Sequence, residues 1–203
     1  MKIQELFIKL KMDRQDASLV DFFRVNFFFE NYDLFIRSLF ELSSESEISE
    51  LIRGTKSIHY AEIVSAEAFF NHKLDFVNQG YELTNTFRSA IIEKLLREKY
   101  SNDNIVVNIK KVKDTKNQEI EFFVVESGLT NEQIKKENFL LRHFAIESED
   151  LALKTLKECL LKNKFKEVGG GKNKQEKSST LYYEKYLGKN QLIRLELFKK
   201  DKS

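Results

Sequence analysis

The chain has 203 residues, with 34 lysines and arginines against 32 acids and a formal net charge of +2. That near balance supplies no long-range field of the kind nucleic-acid binders carry, so no nucleic-acid partner is expected, and the length suffices to bury a core without staples. A single cysteine, Cys159, excludes an internal disulfide, reads as a buried core thiol, and points to a reducing, cytoplasmic compartment.

The opening stretch MKIQELFIKLKMDRQD carries charges every few positions, unlike the apolar run of a secretory signal. The longest apolar stretch, Asp21 to Phe40, is interrupted by Arg24, Asn26, Glu30, Asn31, Asp33 and Arg37, too often for a bilayer core. No membrane partner is therefore expected. Residues 1 to 52 read as two or three short helices, because Leu6, Phe7 and Leu10, then Phe22, Phe23, Phe27 and Phe28, then Leu34, Phe35, Leu39 and Phe40 recur at helical steps. Ser43, Ser44 and Ser46 punctuate them, with Ser46 as N-cap of a brief helix ending at Gly54. At this spacing the phenylalanine stripe reads as core.

The period changes at Ser57. Ser57 to Ser65 fits a strand, with Ile58, Tyr60 and Val64 on one face and His59, Ala61 and Ile63 on the other. A helix over Ala66 to Asn78 would bury Phe69, Phe70, Leu74 and Val77, Gly80 stops it, and Tyr81 begins an extended piece. A further helix, Arg88 to Tyr100, carries Ile91, Ile92, Leu95 and Leu96. Two strands, Ile105 to Val112 and Glu119 to Glu126, form a hairpin. Thr130 caps one short helical turn.

A strand from Leu141 to Ser148 follows, then an amphipathic helix from Glu149 to Asn163 through Leu151, Leu153, Leu156, Leu160 and Leu161. A short strand, Phe165 to Val168, precedes two paired strands, Thr180 to Leu187 and Gln191 to Phe198. Residues 162 to 177 read as a solvated basic loop around Gly169 to Gly171. The order of this part is β-α-β-β-β.

The same order heads the earlier part, since Ile58-His-Tyr-Ala-Glu-Ile and Arg142-His-Phe-Ala-Ile-Glu each open a strand that a helix follows. The expected architecture is α+β, with paired βαβββ modules forming a curved mixed sheet behind a helical N-terminal segment. Its divisions are 1–56 for the helices, 57–137 for the first module with an inserted helix, and 138–203 for the second.

Paired modules with a histidine in the opening strand resemble the vicinal-oxygen-chelate superfamily of glyoxalases, extradiol dioxygenases and bleomycin-resistance proteins. Within it, Ile120-Glu-Phe-Phe-Val-Val-Glu followed by Arg142-His-Phe-Ala-Ile-Glu is most similar to YecM-like metal-binding proteins. The resemblance implies a divalent metal, Fe, Mn, Ni or Zn, held by side chains from the first and last strands of each module. Carried onto this sequence, it implies His59, His143 and Glu196 as ligands, with Glu126 at the end of the first module's last strand. Glu147 shares the face of His143 and competes with Glu196, Glu62 is a further carboxylate nearby in sequence, and His72 receives no role. Three ligands would favour dioxygenase-like chemistry, a fourth glyoxalase-like isomerisation. The activity implied is that of a lyase, isomerase or dioxygenase, and the partner a small oxygen-rich molecule, in a cavity built within one chain or across a homodimer. The alternative is a non-catalytic protein-interaction or regulatory module, consistent with the absence of a nucleophile elbow, phosphate loop or cysteine-histidine dyad.

Overall fold

The computed structural model describes residues 29–200, apart from 79, 85, 115–117, 149, 174–176 and 189–190. In chain order the elements are α1 (Tyr32–Leu39), α2 (Glu45–Gly54), β1 (Thr55–Ser65), α3 (Ala66–Asn78), β2 (Glu82–Leu83), β3 (Phe87–Arg88), α4 (Ala90–Tyr100) and β4 (Val106–Lys113). They continue with β5 (Glu119–Ser127), α5 (Asn131–Leu141), β6 (His143–Ser148), α6 (Asp150–Lys162), β7 (Lys166–Asn173), β8 (Ser178–Gly188) and β9 (Gln191–Lys200). The helices expected before residue 29 lie outside the described residues. The described chain forms two compact units, 29–58 with 143–200 and 59–142, so the helical segment groups with the second module.

In the first of these units, α2 is capped by Ser44 and not by Ser46. The reason is spacing: Ser44 has a glutamate three residues on, so its hydroxyl accepts the Glu47 N–H at 3.3 Å while its own N–H donates to the Glu47 carboxylate at 2.5 Å. Ser46 has Ser49 at that distance and cannot close the box. The strands run in the order β6-β9-β8-β7, with β6 and β9 parallel and the other pairs antiparallel. Phe144 and Ile146 of β6, Ile193, Leu195 and Leu197 of β9 and Tyr183 of β8 form one buried apolar face. Phe35 of α1 seats on it, its ring 4.6 Å from that of Phe144. Thr155 of α6 donates to Glu50 of α2 at 3.2 Å, and the Asn163 side chain accepts the Leu42 N–H at 3.0 Å, which ties α6 into the same layer through buried Leu156, Cys159 and Leu160. Leu161, expected inside, is exposed. β7 is longer than expected and runs through Gly169–Gly171, so half of the expected basic loop is an edge strand. A Cβ on Gly170 would collide with the Thr180 carbonyl, which explains why a glycine is needed at that close approach.

The second unit repeats the strand order. β1 lies parallel to β5, β5 antiparallel to β4, and both β2 and β3 pair with β4. On one face Phe69 and Phe76 of α3, seven residues apart, clasp Phe122 of β5 with ring centroids 5.4 and 5.2 Å away. Phe70 and Val77, expected on the buried side, instead point outward, and the Lys110 ammonium lies 4.7 Å over the Phe70 ring. The opposite face packs Ala61, Ile63, Val107, Phe123 and Val125 against Leu96 of α4 and Ile134 and Leu141 of α5. Here α4 departs from its apolar reading: Ile91 and Leu95 are exposed, and Glu93 is buried in their stead, holding Arg88 at 2.7 Å and the Val107 N–H at 3.0 Å.

The single turn expected at Thr130 is the 11-residue helix α5. Its inward stripe is Ile134, Glu137, Asn138 and Leu141, and two polar residues at core positions hide the helical period from the sequence. Both are satisfied: Glu137 accepts from the Tyr100 hydroxyl at 2.5 Å and pairs with Lys99 at 2.7 Å, while Asn138 accepts the Ile63 N–H at 3.1 Å. Among the described residues no helix is long and apolar enough to cross a membrane.

Candidate metal centre

Period-two alternation decides which side chains share the second face of the 143–200 sheet. With Ile193, Leu195 and Leu197 committed to the helical layer, Arg194 and Glu196 project from the other side of β9, as the alternation predicts. β6 adds His143, Ala145 and Glu147, because Ala145 pairs with Glu196 and Glu147 with Phe198. Thr180 and Tyr182 of β8 complete the face, with Tyr182 directly opposite Glu196.

His143 is the first residue of β6 and is buried. Its Nε2 lies 2.8 Å from Oε2 of Glu196. The other oxygen of Glu196 accepts from the Thr180 hydroxyl at 3.3 Å, and the Tyr182 ring stands edge-on to the imidazole, with centroids 5.7 Å apart and planes at 81°. The sequence therefore locates the imidazole and the carboxylate, which the fold brings together, but misses Thr180 and Tyr182. Glu147 is engaged differently: it accepts from the Ser57 hydroxyl at 2.6 Å and pairs with Lys200 at 3.3 Å.

His59 sits in the 59–142 unit. It is the fifth residue of β1, not the first, yet it is the first to pair with β5, opposite Glu119. Burial pushes the Glu119 carboxyl upward, but Lys111, His59 and Lys113 outweigh it and hold the group below the ordinary carboxylate range. Lys111 lies 3.1 Å from both Glu119 and Glu121. Glu62 accepts from the Tyr60 hydroxyl at 3.3 Å.

Glu126 sits at the opposite end of β5 from the residue that faces His59. Seven positions separate it from Glu119, roughly 23 Å of extended chain at about 3.3 Å per residue. There it accepts from Asn108 at 3.2 Å and pairs with Lys110 at 3.3 Å. The register supplies a different counterpart of Glu196. Two residues after each histidine stands an alanine, Ala61 or Ala145, and their partners on the closing strands are Glu121 and Glu196. Counting from the histidine to the alanine would have found Glu121; counting from the strand's end found Glu126. His72 lies on α3, its side chain outside the described residues.

No family model matches the sequence, and no curated protein does. Among solved structures, the chain is similar to a hypothetical protein from Bacillus halodurans at 13% identity, over 73% of this chain and 98% of that one, with a TM-score of 0.46. It is also similar to methylmalonyl-CoA epimerase from Mycobacterium tuberculosis at 10% identity, 73% and 91% coverage and a TM-score of 0.45. A glyoxalase family protein from Enterococcus faecalis matches at 15% identity, 68% and 94% coverage and a TM-score of 0.23.

Proposed function

We propose that the chain binds one divalent metal ion through His59, His143 and Glu196 and acts, as a protein of vicinal-oxygen-chelate type, on a small oxygen-rich molecule. The observation that carries this reading is the 2.8 Å approach of the His143 ring nitrogen to the Glu196 carboxylate across the parallel opening and closing strands of one module. A buried imidazole beside a buried-edge carboxylate is a donor set that suits Fe(II), Mn(II), Ni(II) or Zn(II). His59 joins the set on two grounds. It occupies the same register position in its own module as His143 does, two residues before the paired alanine. Its strand also starts in the unit of His143, where Ser57, two residues earlier on the same face of β1, is bonded to Glu147 on the face of His143.

The remaining carboxylate of the repeat, Glu121, is ion-paired by Lys111 and so supports three protein ligands over four. Two histidines and one carboxylate leave coordination positions for an oxygen ligand, which favours dioxygenase-like chemistry over isomerisation. A bound metal would polarise that ligand as a Lewis acid or hold dioxygen beside it. The protein's own groups orient the donors: Thr180 holds one oxygen of Glu196 and leaves the other toward His143, and the Tyr182 ring fixes the plane of the imidazole. The sequence resemblance to YecM-like metal-binding proteins points the same way.

Thermal unfolding with and without added Fe, Mn, Ni or Zn tests the proposal. A ligand that binds only the folded chain raises the melting temperature. The wild type is expected to gain stability with at least one of these ions and the His59→Ala/His143→Ala double variant to gain none; a wild type indifferent to all four contradicts the reading.

A further inference from the structure

We infer that Arg194 selects an acidic ligand for this centre, a 2-hydroxy or 2-oxo carboxylate over its neutral analogue; the inference rests on the metal reading above. Arg194 lies two residues before Glu196 on the same face of β9. It also stands one position before Leu195, as His143 stands one position before Phe144 in the parallel pair, so guanidinium and imidazole leave neighbouring points of the sheet. The guanidinium is held in place by its cross-strand partner Glu184, to which Nε donates at 2.7 Å and Nη2 donates as well. Both contacts go to the same carboxylate oxygen, Oε1, which fixes the planar group and leaves Nη1 as a donor. The side chain retains 22% exposure, so a ligand can reach it. Arg194 and Glu196 share a face of β9 two residues apart, and a guanidinium is the cation best shaped for a carboxylate.

Charge balance agrees. A divalent ion with two neutral imidazoles and one carboxylate carries one net positive charge, which a monoanionic oxygen chelator neutralises. Arg194 then engages the carboxylate of that chelator and discriminates it from an amide of the same shape.

The test uses full-length protein loaded with Ni(II), metal content measured first, titrated with lactate and with its neutral isostere lactamide and followed through the visible absorption of the metal. Wild type should bind lactate at least tenfold more tightly than lactamide. In Arg194→Met that preference should fall at least severalfold, leaving the part due to the charge of the metal itself, while metal content is unchanged. Should Arg194→Met fail to fold with Glu184 left unpaired, the neutral pair Glu184→Gln/Arg194→Gln keeps a cross-strand hydrogen bond and should show the same loss. Equal affinities for the two probes in the wild type, or an undiminished preference in either folded variant, overturn the inference while leaving the metal reading intact. A wild type that takes up no Ni(II), Fe, Mn or Zn overturns both.

Discussion

Phe122 projects from β5 between Phe69 and Phe76, and its side chain is almost wholly buried. Truncation there leaves a cavity that two rigid rings cannot collapse to fill. Phe122→Ala should cost about 3–5 kcal/mol in urea unfolding, whereas Phe70→Ala, on the solvent side of the same helix, should stay within about 0.5 kcal/mol. Equal losses would show that the inward side of α3 has been misassigned. Glu93 makes a second residue-scale prediction. Burial works against its charge, but donation from Arg88 and the Val107 N–H, with the field of Arg97, holds its carboxyl below the ordinary value of 4.5. A carboxylate depressed in the folded state contributes stability that is present above its ordinary pKa and is lost as pH falls through the folded value. Urea unfolding at pH 7 and below pH 4 should therefore show a steeper acid loss in the wild type than in Glu93→Gln; identical acid slopes would contradict the assignment. Neither Glu93 nor the Glu137–Asn138 pair was legible as core, because composition marks them as surface and only their partners explain their burial.

Capping decides the elements most cleanly. The Thr130 hydroxyl accepts the Gln133 N–H at 3.2 Å while Gln133 accepts the Thr130 N–H at 2.8 Å, a reciprocal box that starts α5. Thr130→Ala should cost roughly 1 kcal/mol and raise amide exchange in the first turn of α5; unchanged exchange there would argue that Ile134 and Leu141 alone set the helix. The cap residue was readable from sequence, the length of the helix was not. Bounds of β4, β5, β8 and β9 were readable within two residues at every end, because turn residues bracket alternating apolar runs. The pairing inside the last hairpin was not. Gly188 opposes Gln191, yet from Tyr186 opposite Leu192 onward the register has shifted by one. Straight counting from the turn places Tyr183 opposite Glu196, whereas the bulge places Tyr182 there. One residue of slip exchanges the two faces of a strand, which is why Tyr182 and Thr180 were invisible as neighbours of the centre.

Taken as a whole, the molecule contains the same strand order twice, with the opening strand parallel to the closing one each time. That duplication was legible from two short histidine-headed segments, each opening a strand that a helix follows. His143, Glu196 and Glu126 were named from the family resemblance; the structure sets Glu196 beside His143 and puts Glu121, not Glu126, opposite Ala61. Metal binding is the claim on which the functional reading stands, and stoichiometry tests it most directly. Elemental analysis of the chain purified without chelator and equilibrated with Fe, Mn, Ni or Zn should find about one ion per chain, falling to background in His143→Ala and Glu196→Ala and remaining in Glu126→Ala. A metal-free wild type, or a full equivalent of metal retained without His143 and Glu196, would contradict it.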